Sequence, residues 1–163
     1  LAANQIDYKE AEASGMSAVM LDRLMLNSSR LESIAQDVLA VAALPDPVGE
    51  IFDKRILPNG LQISRKRVPL GVIGAIYESR PNVTIDISAL CLKSGNTIIL
   101  RGGREAIHSN SALARVVQDA CTRARVPDGA VQFIENTDRT LVNHLLKMGD
   151  VIDLIVPRGG AEL

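Results

Sequence analysis

The alternation of apolar and polar positions is clearest between residues 68 and 103. Residues 70–77 are almost wholly apolar, which predicts a strand buried on both faces. Gly71 and Gly74 within that run leave room for a close neighbour, either a helix or a ligand. The run ends in polar Glu78-Ser79-Arg80, and Pro81 punctuates it. A helical pattern covers about 84–93 and is closed by Gly95; the next strand, 97–100, runs into Arg101-Gly102-Gly103. The spacing predicts a strand–helix–strand unit with polar, glycine-rich turns at the carboxyl ends of both strands. In open α/β sheets those ends bind ligands.

The pattern continues on both sides. Residues 106–125 read as a helix with Leu113, Val116, Val117, Ala120 and Cys121 on one face. Pro127-Asp128-Gly129 marks a turn, and 131–134 a strand. Thr137-Asp138-Arg139 starts a helix through 147, with Leu141, Leu145 and Met148 apolar. A fourth strand, 153–156, leads into Pro157-Arg158-Gly159-Gly160. The order from residue 68 is βαβαβαβ, which predicts an α/β fold with a parallel sheet and helices on its faces.

Upstream, 1–13 reads as a polar helix broken by Ser14-Gly15, and Ser17 caps a short helix over 18–24. Ser29 is expected to cap the next, whose apolar face holds Leu31, Ile34, Ala35, Val38, Leu39, Val41 and Ala42. Pro45 and Pro47 stop it. Two strand-like runs, 48–57 and 61–68, flank Pro58-Asn59-Gly60 and predict a hairpin, with Leu61 and Ile63 inward and Gln62 and Ser64 outward. Such a hairpin either bridges domains or pairs with another subunit.

Composition narrows the function classes. A chain of 163 residues suits one domain, and 47% hydrophobic with 23% charged residues is ordinary for a globular protein. A formal charge of −1 argues against nucleic acid or an anionic membrane as partner. Two Phe, two Tyr and no Trp argue against base stacking. No apolar run reaches the roughly 20 residues of a membrane span, and no signal peptide is visible. Cys91 and Cys121 form no metal or redox spacing, which predicts a reduced, cytoplasmic setting with both thiols buried. His108 and His144 are isolated and expected at the surface. Both ends look cut, since the chain opens inside a helical pattern without Met and stops just after a glycine pair.

The strand–Arg–Gly–Gly pattern occurs twice, at Arg101-Gly102-Gly103 and Arg158-Gly159-Gly160. Glycines past a strand end let amides approach an anion, and an adjacent guanidinium suits phosphate. Arg101 and Arg104 follow the second strand, where arginine favours a 2′-phosphate on the adenine ribose. The alternative is a plain turn with solvated arginines. The GxGxxG fingerprint of ordinary dinucleotide folds is absent. At Glu78-Ser79-Arg80-Pro81-Asn82, the Asn82 amide is placed either to donate to a developing oxyanion or to cap the following helix.

These segments resemble one family. Arg67-Val68-Pro69-Leu70-Gly71-Val72-Ile73-Gly74, Tyr77-Glu78-Ser79-Arg80-Pro81-Asn82-Val83-Thr84, Leu92-Lys93-Ser94-Gly95-Asn96, Leu100-Arg101-Gly102-Gly103 and Pro157-Arg158-Gly159-Gly160-Ala161 are similar to the gamma-glutamyl phosphate reductases, or glutamate-5-semialdehyde dehydrogenases, of the aldehyde dehydrogenase superfamily. Gly15-Met16-Ser17, Met20-Leu21-Asp22-Arg23-Leu24 and Asp46-Pro47-Val48-Gly49 resemble it too. The resemblance implies a Rossmann-like cofactor domain, here truncated, with 1–48 as its N-terminal helical part and 67–163 as its NADP-binding part. It implies a hairpin arm over 49–66 that joins copies of the chain. It implies NADPH-dependent reduction of L-glutamyl 5-phosphate to L-glutamate 5-semialdehyde and phosphate, in proline biosynthesis, through a thioacyl intermediate on a cysteine.

Asn82 is thus the oxyanion candidate, and Glu78, Ser79, Arg80, Arg101, Gly102, Gly103, Arg104, Arg158, Gly159 and Gly160 are the cofactor-binding candidates. Glutamate 5-kinase is an implied partner, and no metal is expected. Neither Cys91 nor Cys121 matches the family nucleophile, so this chain alone is expected to be inactive. Two other readings stand beside this one: a stand-alone nucleotide-binding or interaction module, and an acyl-group reductase acting on a coenzyme A thioester. The Glu-Ser-Arg-Pro-Asn motif speaks against the latter.

Overall fold

The apolar run ahead of Glu78 becomes an inner strand of a four-stranded sheet in the computed structural model, which describes residues 1–160. Three helices come first: α1 (Ala2–Ala13), α2 (Ala18–Leu24) and α3 (Ser28–Ala43). The hairpin is β1 (Ile51–Ile56) and β2 (Gln62–Lys66). Then follow β3 (Val72–Tyr77), α4 (Asn82–Lys93), β4 (Thr97–Arg101), a 3₁₀ turn (Arg104–Ala106), α5 (Ile107–Arg123), β5 (Val131–Phe133), α6 (Thr140–Lys147) and β6 (Leu154–Arg158). The sheet order is β5-β4-β3-β6, and every neighbouring pair is parallel. Ile76 lies opposite Arg101, and Tyr77 opposite Arg158. The turns after β3, β4 and β6 therefore gather at one end of the sheet.

The continuous apolar character of β3 has a two-sided cause. Ile73, Ala75 and Tyr77 pack with Val83 and Cys91 of α4 and Cys121 of α5, while Ile76 packs with Leu145 of α6 and Ile152. Alternate side chains point to opposite faces, so a strand covered on both sides needs apolar residues throughout. The strand begins at Val72, later than the run suggested, because Gly71 has φ +123° and turns the chain into the sheet. Leu70, before that turn, is exposed. The space left by the two glycines goes to neither a helix nor a ligand. A Cβ on Gly71 would strike the Asp153 carboxylate, and one on Gly74 would lie 2.7 Å from Ile155 Cδ1.

Several local expectations shift. Asn27, not Ser29, caps α3, accepting from Arg30 N at 2.8 Å. Ser17 does cap α2, accepting from Met20 N. Of the α3 stripe, Leu31, Ile34, Val38 and Val41 turn inward, whereas Ala35, Leu39 and Ala42 are exposed, because α3 packs chiefly on α4 with one narrow face. On α5, Val116 and Ala120 are likewise exposed. Helix α6 starts at Thr140, leaving 137–139 as a loop.

The hairpin has no inner face in this chain. All of β1 is exposed, and so is Leu61; only Ile63 is half-buried. A two-stranded sheet with nothing packed on it cannot realise an inward–outward alternation. The N-terminal helices, by contrast, are fastened by polar groups. Asp7 is 2% exposed and accepts from Ser109 N at 2.7 Å, Ser109 Oγ at 2.5 Å and His108 N at 3.1 Å, at the start of α5. Asn4 donates to Ser109 Oγ and to the Leu24 carbonyl. No helix among the described residues is long and apolar enough to cross a membrane.

Candidate functional site

Two clefts flank the turn that follows β3. The first, of about 560 Å³, opens between the turns after β3 and β4 and the start of α6; Glu78, Arg101, Gly103, Arg104, Glu105 and Arg139 line it. Arg101 is not a solvated side chain. It is 5% exposed, and its Nη2 donates to the carbonyls of Thr137 at 2.9 Å and Asp138 at 3.4 Å. Its Nε is buried with no partner among the described residues. Arg104 and Arg139 are exposed, so their guanidinium groups stand at the rim.

Glu105 is committed elsewhere. Its carboxylate accepts from Ser79 N at 2.5 Å and Ser79 Oγ at 2.7 Å. Ser79 is buried with φ +43°, a conformation that costs a non-glycine residue energy and persists where surrounding bonds hold it. The first glycine pair makes room for these groups. A Cβ on Gly103 would collide with the Glu105 carboxylate, and one on Gly102 with the Asn110 amide and, at 3.2 Å, the Tyr77 ring. The open amide cradle expected there is thus filled by protein side chains. Thr84 Oγ1 donates to Asn110 Oδ1 at 3.1 Å, so the 2.7 Å contact between Tyr77 and Thr84 has the phenol as donor. Burial raises the Tyr77 pKa far enough to keep that proton in place.

On the other side, Arg158, Gly159 and Gly160 are exposed at the end of β6. Glu78 N donates to the Arg158 carbonyl, and Gly160 N donates to Glu78 Oε2 at 3.3 Å. Ala161, the last residue of that segment, lies outside the described residues.

The second cleft, of about 360 Å³, is walled by α2, α3 and the start of α4, and holds Arg80 and Asn82. Asn82 is the first residue of α4 and does not cap it; the cap position is Pro81, with no side-chain bond. Instead Asn82 Nδ2 donates to Asp86 Oδ2 at 2.8 Å. Burial raises the Asp86 pKa, the Asn82 bond works against that, Asp37 reinforces it and Arg158 opposes it.

Both cysteines are buried, and neither lines either of these clefts. Burial pushes the Cys91 thiol up to about 11 and raises Cys121 as well, which suppresses the nucleophilic thiolate. His108 and His144 are exposed.

The structure therefore brings Glu78, Arg101, Gly103 and Arg104 together in one cleft and puts Arg80 and Asn82 in the other. Ser79 and Gly102 are buried between. Sequence reasoning missed Glu105, Arg139, Asp86 and Asp37. Asp86 had a legible signal, four residues beyond Asn82 on the same helix face. The rest reach their places only through packing.

Comparison with known proteins gives concordant results. A model described as the aldehyde dehydrogenase family matches residues 28–162. A gamma-glutamyl phosphate reductase from Dehalococcoides mccartyi (strain ATCC BAA-2266 / KCTC 15142 / 195) is 67% identical over all 163 residues, which are 38% of its own length. One from Vibrio vulnificus (strain YJ016) is 57% identical over the same span, 39% of its length. The crystal structure of a gamma-glutamyl phosphate reductase from Thermotoga maritima matches with a TM-score of 0.95 and 45% identity, covering 100% of this chain and 39% of that one. The chain thus spans well under half the length of the curated relatives it matches.

Proposed function

The chain belongs to the aldehyde dehydrogenase family, and we propose that it forms the cofactor-binding part of a reductase that converts L-glutamyl 5-phosphate to L-glutamate 5-semialdehyde and phosphate with NADPH, in proline biosynthesis. One coincidence carries this reading. Glu78-Ser79-Arg80-Pro81-Asn82 lies between both Arg-Gly-Gly turns at the carboxyl end of the sheet, in a chain 67% identical throughout to a gamma-glutamyl phosphate reductase.

NADPH, when bound, supplies the hydride. The first cleft fits its phosphorylated adenosine end, because Arg104 and Arg139 are exposed at the rim and the buried Arg101 Nε has no partner among the described residues. A 2′-phosphate is a strong acceptor carrying close to two charges, and guanidinium groups meet it with charge-assisted bonds. Ser79 holds the turn in its strained form through Glu105, which aims Arg80 and Asn82 into the other cleft. An amide has two N–H donors, and Asn82 spends one on Asp86. The second is available to an oxyanion forming on the substrate carbonyl.

The nucleophilic cysteine belongs, on this reading, to sequence beyond these 163 residues, since both thiols here are buried. The reading also takes 1–48 with 67–163 as the cofactor domain and 49–66 as an arm that joins a second copy. Glutamate 5-kinase as partner follows from the resemblance, and a cytoplasmic site from two thiols that form no metal or redox spacing.

The test uses the full-length protein that carries this segment, assayed in reverse with glutamate 5-semialdehyde, phosphate and NADP. NADPH formation is expected, and its absence overturns the reading. Asn82→Ala should lower kcat by roughly 10²–10³ with the thermal melt little changed.

A further inference from the structure

The second cleft is lined by charges of both signs, and they are unequally spent. Arg30 Nη2 pairs with Asp22 Oδ1 at 2.7 Å, and Arg30 Nη1 donates to the Met25 carbonyl at 2.9 Å. Arg23 makes one long contact, 3.8 Å to the Met20 sulfur. Arg80 and Asp37 differ: among the described residues, neither side chain has a hydrogen bond or ion pair, though both line the same small cleft as Asn82. Arg80 is half-buried in the turn after β3, and Asp37 is exposed on α3. The packing of α3 on α4 brings them to one place.

We infer that this cleft seats the α-amino-acid head of the substrate, with Asp37 taking its ammonium group and Arg80 its carboxylate. The inference rests on the reductase reading above. A cation and an anion facing one cleft, and not paired with each other, complement a zwitterion. A simple carboxylate or a simple amine would leave one of them unmatched and desolvated. A glutamyl group has its reacting carbonyl at one end and its zwitterion at the other. With the carbonyl at the Asn82 amide, the head extends among these charges. A volume of about 360 Å³ falls at the lower end of ordinary ligand pockets, as a small molecule requires. Asp86 is not among the residues that line this cleft; its Oδ2 accepts from Asn82 behind the wall.

The full-length protein tests this with three aldehydes: glutamate 5-semialdehyde, 5-oxopentanoate, which lacks the amino group, and butanal, which lacks both head groups. KM is measured for the first and inhibition constants for the other two. Asp37→Asn should raise the KM for glutamate semialdehyde about tenfold and leave the other two constants within about twofold. Arg80→Gln should weaken both carboxylate-bearing aldehydes and spare butanal. Asp37→Glu should retain most of the affinity, and Asp37→Lys should lose more than Asp37→Asn. Asp37 is exposed, so these variants should melt like the parent. Equal effects of Asp37→Asn on all three aldehydes, or none on any, would overturn the inference while the reductase reading stands. No turnover by the unaltered protein would overturn both.

Discussion

Arg101 and Arg104 sit in one turn, yet burial gives them different parts. Arg101 is a clamp: its guanidinium holds the Thr137 and Asp138 carbonyls, and so fixes the loop that leads into α6. Arg104 stands at the rim of the same cleft with its charge in solvent. Removing them should give distinct signatures. Arg104→Ala in the full-length protein should raise the Kd for NADPH about tenfold and leave that for NADH nearly unchanged, because only NADPH carries the 2′-phosphate. The difference should shrink as salt screens the attraction. Arg101→Ala should weaken both cofactors and cost about 2 kcal/mol of stability, since the Thr137 and Asp138 carbonyls lose a charged donor. Calorimetric titration and thermal melts on both variants separate these cases. Equal loss of the two cofactors in Arg104→Ala would move that arginine to the pyrophosphate or to the turn itself.

At the scale of elements, the hairpin is the odd member. Every other element buries a face within the chain, but β1 is exposed along its whole length, with Ile51 at 50% and Ile56 at 70%, and Leu61 just before β2 is 55% exposed. Its free edges present unpaired backbone groups, a template for another strand. It is braced only locally, by Arg67 against Glu50 at 2.6 Å and over the Phe52 ring at 5.0 Å. A two-stranded ribbon is marginal alone and gains stability when something covers it. Ile56→Lys with Leu61→Lys should therefore convert an oligomer to a smaller species in sedimentation, while the circular dichroism of the parallel-sheet unit stays as it was. An unchanged sedimentation coefficient would remove the hairpin from the interface.

Across the whole molecule, a buried polar node joins α1 and α2 to the start of α5, beside the apolar contacts of Ala11 and Leu24 with Ala106. Asp7 caps the start of α5 with three accepted bonds, and Asn4 links that same Ser109 to the end of α2. A carboxylate at a helix N-terminus gains from the helix dipole as well as from the bonds. Asp7→Ala leaves buried donors unsatisfied and should cost on the order of 3 kcal/mol, read as a lower denaturant midpoint. It should also loosen the wall of the cleft that holds Arg23 and Arg30, since α2 hangs on the same node. A stability loss well under about 1 kcal/mol would show that the apolar contacts of Ala11 and Leu24 hold α1 and α2 without it.

What the sequence determined by itself follows from periodicity, which depends on local geometry alone. The βαβαβαβ order, the hairpin, the parallel sheet and the gathering of polar turns at one end were all legible, because a strand buried on both faces must be apolar throughout and its turns must not be. The Glu78–Asn82 segment stood out as a candidate because its charged and amide side chains gather at a strand end, where open α/β sheets bind ligands. What only the tertiary structure decided was which polar groups meet. Gly102 and Gly103 looked like a place for an anion, and packing filled them with Asn110 and Glu105. Asn82 looked equally like a helix cap, and the chain instead turned it toward Asp86. No periodicity singled out Asp7 or Asp37. Packing buried the first at the head of α5 and left the second on a cleft wall, without a partner among the described residues. Burial, partner and charge balance are properties of the assembled neighbourhood, and no one-dimensional pattern carries them.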